Sequence, residues 1–206
     1  MSLLEVKNLS IGYPSKVQNK VIQSEISVSL ESGQIVSLMG QNGVGKTTFI
    51  KTISGLLNPI KGEILFDGRP LEQLSASDMS KKLSVVLTEK PYAQNLSVLE
   101  LIAIGRHPYS SWMGMLSAHD KEVIDWAITE THINYLANKK LFELSDGQLQ
   151  KVMIARALAQ ETNIILLDEP AAHLDLYNKI EVMMLLRQIA QSGKAILIST
   201  HDMQVS

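Results

Sequence analysis

The sequence predicts an α/β fold: a mostly parallel sheet core, antiparallel strands at the N-terminus and an α-helical subdomain inserted in the middle. Three observations carry that expectation. Residues 34–51, QIVSLMGQNGVGKTTFIK, run from a short apolar strand through a glycine-rich turn into a helix. Residues 164–167 are a continuous apolar run, the mark of a strand buried on both faces, and residues 195–199 read as another buried strand. Between and after them helical patterns alternate with strands, which gives parallel pairing through crossover helices.

Residues 3–7 and 26–30 alternate as half-buried strands, and Gly12-Tyr13-Pro14 with a polar loop through Lys20 separates them. That spacing predicts an antiparallel pair joined by a turn. Tyr13 either offers an aromatic face to an adenine ring or sits half-buried as a turn residue on the sheet. Residues 48–57 continue the helix that follows the glycine-rich turn, and Asn58-Pro59 stops it. A strand over 62–66 closes on an Asp67-Gly68 turn, a short helix covers 75–82, and an apolar strand covers 83–87.

Residues 89–145 then carry no strong strand. Helices are expected over 98–106 and about 118–132, the second opened by Ser117 with Asp120 three residues on, a capping box. The chain accordingly divides into a first core half (1–88), a helical subdomain (89–145) and a second core half (146–206). The loop at 105–113, GRHPYSSWM, either packs this subdomain or meets a partner. A helix over 147–159 lines up Leu149, Val152, Met153 and Ala157. Another over 176–191 lines up Val182, Leu185, Leu186 and Ile189, with Gly193 just past its end.

Composition narrows the functional classes. The chain has 206 residues, 45% hydrophobic content and a formal net charge of −2, so no basic field points to nucleic acid. Without cysteine there are no disulfides or thiolate metal sites, which fits a reducing compartment. No apolar run approaches the roughly 18 residues of a membrane span, and MSLLEVKNLS lacks the pattern of a signal peptide. Work at a membrane would go through a partner.

Gly40-x-x-x-x-Gly45-Lys46-Thr47 lies inside the first strand–turn–helix. Its glycines let backbone N–H groups face inward where side chains would block a phosphate, and the helix N-terminus adds partial positive charge. Lys46 can reach β- and γ-phosphates, and the Thr47 hydroxyl can hold Mg²⁺. The candidate nucleotide site is Gly40, Gln41, Asn42, Gly43, Gly45, Lys46, Thr47 and Thr48. Asp168-Glu169 ends a buried strand on the side where parallel sheets bind ligands. Asp168 is then placed to hold Mg²⁺ and Glu169 to activate water, although Asp-Glu-Pro is also a common helix start. Leu144-Ser145-Asp146-Gly147-Gln148 is a second oddity: Ser145 and Gln148 make a capping box, and the same helix N-terminus would make a second phosphate cradle. One phosphate group in one molecule has no use for two.

The glycine-rich loop, LSDGQ at 144–148, IILLDE at 164–169 and Ser199-Thr200-His201-Asp202 together resemble the nucleotide-binding subunit of ABC transporters, a RecA-like P-loop NTPase, over nearly the whole chain. The resemblance implies ATP and Mg²⁺, and a homodimer that sandwiches two ATPs head to tail. Ser145, Gly147 and Gln148 then act in trans, which resolves the two cradles. It further implies that Tyr13 stacks on adenine, that His201 contacts the γ-phosphate, and that His173-Leu174-Asp175 couples the two sites. The LSDGQ form and the GRHPY stretch are similar to subunits that import iron–siderophores, haem and cobalamin. Such subunits work beneath an integral-membrane permease, on the cytoplasmic face of the membrane, with help from an external substrate-binding protein.

Two departures stand out. Asp146 replaces a glycine common in the signature. The glutamine that follows the strand equivalent to 83–87, and that touches Mg²⁺ in the family, is absent: Thr88 or Glu89 stands there. The chain also ends five residues after His201, where relatives usually continue with further helices, so it is expected to be either truncated or a short natural form. Rival readings are a soluble ABC ATPase in assembly or DNA maintenance, a GTPase, and a nucleotide sensor that does not hydrolyse. For the first, long coiled-coil insertions would mark the DNA-maintenance type, and the sequence has none. For the second, Asn178-Lys179-Ile180-Glu181 is the nearest approach to a guanine motif.

Overall fold

Two four-stranded sheets, stacked through a shared apolar layer, frame the molecule in the computed structural model, which describes residues 2–15, 19–89, 91, 93–110 and 114–201. Lys90, the Ser111-Trp112-Met113 part of the aromatic loop, and Asp202 lie outside the described residues. One sheet is antiparallel, in the order β2 (Lys20–Glu31), β1 (Ser2–Tyr13), β4 (Lys61–Phe66), β5 (Arg69–Pro70). The other is parallel, in the order β3 (Ile35–Met39), β8 (Ala195–Thr200), β7 (Ile164–Asp168), β6 (Leu83–Val86). It draws two strands from each side of the helical insertion.

The continuous apolar runs have a simple cause. Side chains alternate across a strand, and β7 sends Ile164 and Leu166 into the layer between the sheets while Ile165 and Leu167 enter a second core. In β8, Ala195 and Leu197 divide from Ile196 and Ile198 in the same way. The inter-sheet layer also holds Phe49, Ile50 and Ile53 of α1 (Lys46–Ile53). The second core packs α3 (Val98–Ile104), α4 (Ala118–Glu130), α5 (Asp146–Ala159) and α6 (Leu176–Gln191) on the other face.

Local chemistry fixes the helix starts. Capping boxes open α2 (Ala76–Lys82) with Ser75/Asp78, α3 with Ser97/Glu100, α4 with Ser117/Asp120 and α5 with Ser145/Gln148. Each N-cap is worth about 1 kcal/mol. Two expectations needed correction. The helix expected to continue through 57 starts at the glycine-rich turn, with Gly45 as its N-cap, but ends at Ile53 before Gly55 at φ +76°. The first two strands are each 12 residues long, and β1 runs through Tyr13 in place of a turn. Register shifts between Val6 and Leu9 and between Leu9 and Ile11 break the alternation there, which hid the strand's length.

The parallel register sets up the site. Met39 pairs with Thr200, Asp168 with Ser199, and Val86 with Leu167. All four strands therefore end along one edge, and the residues that follow them meet there.

Candidate functional site

β3 delivers the chain at that edge into a turn that returns as α1. Gly45 caps α1 at φ +106°, and a Cβ there would lie 2.7 Å from the Ile22 side chain, so both backbone and space demand glycine. An open cleft of about 430 Å³ lies over the turn, lined by Tyr13, Ile22, Asn42, Gly43, Gly45, Lys46, Thr47, Thr48, Thr88 and Glu169. Tyr13 is half exposed at the end of β1 and presents its ring to this cleft. Lys46 is buried; its Nζ donates to the carbonyls of Gly40 (2.7 Å) and Gln41 (3.1 Å).

Asp168, also buried, is held by hydroxyls from three elements. Thr47 Oγ1 donates to Oδ2 at 2.7 Å, Ser199 Oγ donates to Oδ1 at 2.6 Å, and Thr88 Oγ1 lies 3.2 Å from Oδ2 and 3.0 Å from the Asp168 carbonyl. Thr88 has one proton for two acceptors, so it serves one at a time. Of the two residues named as standing where the glutamine is expected, Thr88 is the one at Asp168. Glu89 is exposed and 3.8 Å from Lys51. A surface pair of that length contributes under about 1 kcal/mol and does not fix the side chain.

Glu169 follows with φ +50°, a left-handed conformation uncommon outside glycine, asparagine and aspartate. Its N–H donates to Ser199 Oγ at 2.9 Å. One carboxylate oxygen is 3.3 Å from Lys46 Nζ and the other 2.9 Å from His201 Nδ1. Lys46 and Glu169 at the cleft are thus linked in one row to His201. Thr47 Oγ1 and Asp168 Oδ2, side by side, are the hard-oxygen pair that suits Mg²⁺.

Ser145, Gly147 and Gln148 sit elsewhere, at the N-terminus of α5, and none lines this cleft. Ser145 N–H donates to Gln148 Oε1 (3.1 Å), and Gln148 N–H donates to Ser145 Oγ (3.3 Å). Gly147 is packed against α6: a Cβ there would stand 2.4 Å from Asn178 Oδ1. A backbone this close leaves room for hydrogen only.

Two contributors escaped sequence reasoning. Ser199 bonds both Asp168 and Glu169 and is fully buried; a serine closing an apolar strand just before Thr200-His201 was the available signal. Arg106, in the GRHPY stretch, is also fully buried. It donates to Asp120 (2.7 Å), the Ala159 carbonyl (2.8 Å) and Glu161 (2.6 Å), with the Tyr109 ring 4.3 Å from its guanidinium. It ties the insertion to the C-terminus of α5.

Over residues 23–172 the chain matches the family described as ABC transporter. It is 40% identical over 205 residues to an uncharacterised ABC transporter ATP-binding protein of Methanocaldococcus jannaschii, covering 99% of this chain and 69% of that protein. It is 35% identical over 204 residues to the iron(3+)-hydroxamate import ATP-binding protein of Bacillus subtilis, covering 98% of this chain and 74% of that one. Among solved structures, a dimeric post-hydrolysis ATP-binding cassette bound to ADP and Pi superposes with a TM-score of 0.83 at 27% identity, covering 98% of this chain and 89% of that one.

Proposed function

The chain belongs to the ABC transporter ATP-binding family, and from that premise we propose that it hydrolyses MgATP at a head-to-tail homodimer interface and so drives a separate membrane permease. The proposed cargo is an iron–siderophore, haem or cobalamin complex, imported with an external binding protein. The observation that carries the hydrolytic reading is the convergence of Lys46, Thr47, Asp168, Glu169 and His201 at one sheet edge.

In this reading the turn from Gly40 to Gly45 and the start of α1 bind the phosphates through backbone N–H groups, with Tyr13 against adenine. Lys46 holds the β- and γ-phosphates. Thr47 and Asp168 would hold Mg²⁺, which neutralises phosphate charge and orients the γ-phosphoryl group. Glu169 takes the proton of the attacking water, the bond from the γ-phosphorus to the bridging oxygen breaks, and ADP leaves. His201 orients Glu169 and meets the γ-phosphate. Ser145, Gly147 and Gln148 of the second copy close over the same phosphate. Their helix N-terminus is exposed at Ser145 and away from their own chain's cleft, as an in-trans role requires.

Coupling to the permease has a short path. Leu87 and Glu89 line a groove of about 970 Å³ between the sheet core and the insertion, while Thr88 between them touches Asp168. Two turns of α-helix fill roughly 850 Å³ at a diameter of 10 Å, so a short helical segment of the permease fits. Among the described residues no helix is long and apolar enough to cross a membrane, which agrees with a peripheral subunit at the cytoplasmic face. The division into core (1–88 and 146–206) and helical subdomain (89–145) belongs to the same proposal.

Uptake of labelled ferric hydroxamate, haem and cobalamin by cells lacking the chain tests the cargo. Loss of one, restored by the wild type and not by Glu169→Gln, is expected; normal uptake of all three would remove the import reading and leave the ATPase.

A further inference from the structure

One charge in the groove beside Thr88 has no counter-charge in contact with it among the described residues. Arg156, on α5, lies in its lining among Leu57, Leu71, Met79, Leu101 and Met153. It is only partly exposed, and burial alone lowers its pKa below the ordinary arginine value. Among the described residues its guanidinium has neither an ion pair nor a hydrogen bond. Two carboxylates share the lining, Glu72 and Glu89, and neither reaches it. The contrast with Arg106 is instructive: that guanidinium, more deeply buried, has three acceptors and an aromatic face. Folding stability does not explain Arg156, since desolvating an unpaired guanidinium is unfavourable and its stem alone packs no better than leucine or methionine.

Building on the permease-docking reading above, we infer that Arg156 is the anchor for an acidic side chain: the segment that enters this groove is a short amphipathic helix carrying one carboxylate toward α5. A carboxylate meets the planar guanidinium through two parallel N–H···O bonds, and the apolar walls strengthen them by excluding water. A lysine at the same place would be repelled. Glu72 and Glu89 elsewhere in the lining disfavour further acids, so a single acidic position fixes the register of the segment. Arg156 therefore selects the partner and its alignment. The groove holds the helix; the charge decides which helix and where.

Three fluorescein-labelled 14-residue amphipathic helical peptides, apolar on one face and carrying Glu, Gln or Lys at the centre of that face, test this by anisotropy against the full chain. The Glu peptide should bind about tenfold more tightly than the Gln peptide, and the Lys peptide most weakly. Arg156→Gln should bring the Glu/Gln ratio close to one, and Arg156→Glu should invert the preference toward Lys; circular dichroism melts check that each variant is folded, and Arg156→Lys, which keeps the charge, should keep part of the preference. Ile104→Asp, at the half-exposed rim of the groove, should weaken all three peptides. Equal binding of Glu and Gln peptides that Ile104→Asp still weakens would overturn the acidic anchor and leave docking standing. Binding indifferent to Ile104→Asp, or no binding at all, would overturn both.

Discussion

Lys46 and Glu169 face each other across 3.3 Å, and the far oxygen of the same carboxylate meets His201 at 2.9 Å. Both side chains of the pair are largely shielded from solvent, at 8% and 17% exposure, so this contact is worth more than a surface ion pair. A γ-phosphate bound as proposed would compete with Glu169 for the ammonium. In the proposed mechanism its arrival would free the carboxylate to turn toward water, so that the base becomes available only when there is something to hydrolyse.

Replacing Glu169 with Gln should abolish turnover and leave a stable ATP-bound dimer. Phosphate release measures the first and size-exclusion chromatography with ATP the second. The amide still reaches His201 but no longer pairs with Lys46, so nucleotide affinity should hold or rise. Retained hydrolysis removes Glu169 as the base.

Mixing Lys46→Ala chains with Ser145→Arg chains tests the shared site. A heterodimer of the two has at most one intact composite site, so it should recover part of the activity that each variant alone lacks. Normal hydrolysis by either variant alone would sink the in-trans arrangement.

Thr88 offers a graded series. Ser keeps the hydroxyl at Asp168 and should retain most activity. Val has the same shape without a donor and should weaken Mg²⁺ dependence, seen as a higher Mg²⁺ concentration for half-maximal nucleotide binding in calorimetry. Gln restores a long amide in a space sized for threonine. Indifference of Mg²⁺ binding to Thr88→Val would mean that Ser199 and Thr47 alone hold Asp168.

The Arg106 cluster governs stability. Arg106→Met leaves Asp120 buried without its guanidinium and should cost about 3–5 kcal/mol in urea unfolding. The Asp120 carboxyl is held at about 2, against 3.8 ordinarily, first by the Ser117 hydroxyl and then by the Ser117 N–H and Arg106. A depressed carboxyl stabilises the fold fully above its unfolded value and loses that contribution as pH falls toward its folded one. Between pH of about 4 and 2, Asp120→Asn should therefore show a flatter loss of stability than the wild type; parallel curves would clear Asp120 of that role.

Much of this was readable in advance, and for identifiable reasons. Ile164–Asp168 declared itself because a strand buried on both faces needs apolar residues in both registers, and the serine caps declared the helix starts because their hydrogen bonds are local. The choice between Thr88 and Glu89 was not readable: it depends on β6 ending at Val86, so that the next residues alternate between groove and Asp168. Arg106 was equally opaque. Its partners lie 14, 53 and 55 residues away, and nothing local distinguishes a buried arginine from a surface one. β1 concealed its length for the opposite reason, since bulges erase the alternation that marks a strand.

Glu169 holds a backbone angle that glycine or asparagine would adopt with less strain. A left-handed residue with a side chain costs roughly 1–2 kcal/mol, so Glu169→Gly or Glu169→Asn should recover that strain and lose the Lys46 contact, leaving a smaller change in urea-unfolding stability than loss of the ion pair alone would give. Glu169 shares this left-handed geometry with Glu25, His132, Glu161 and His173, and of these it alone touches both Lys46 and His201, so selection for heat resistance alone has a reason to change it that selection for turnover opposes.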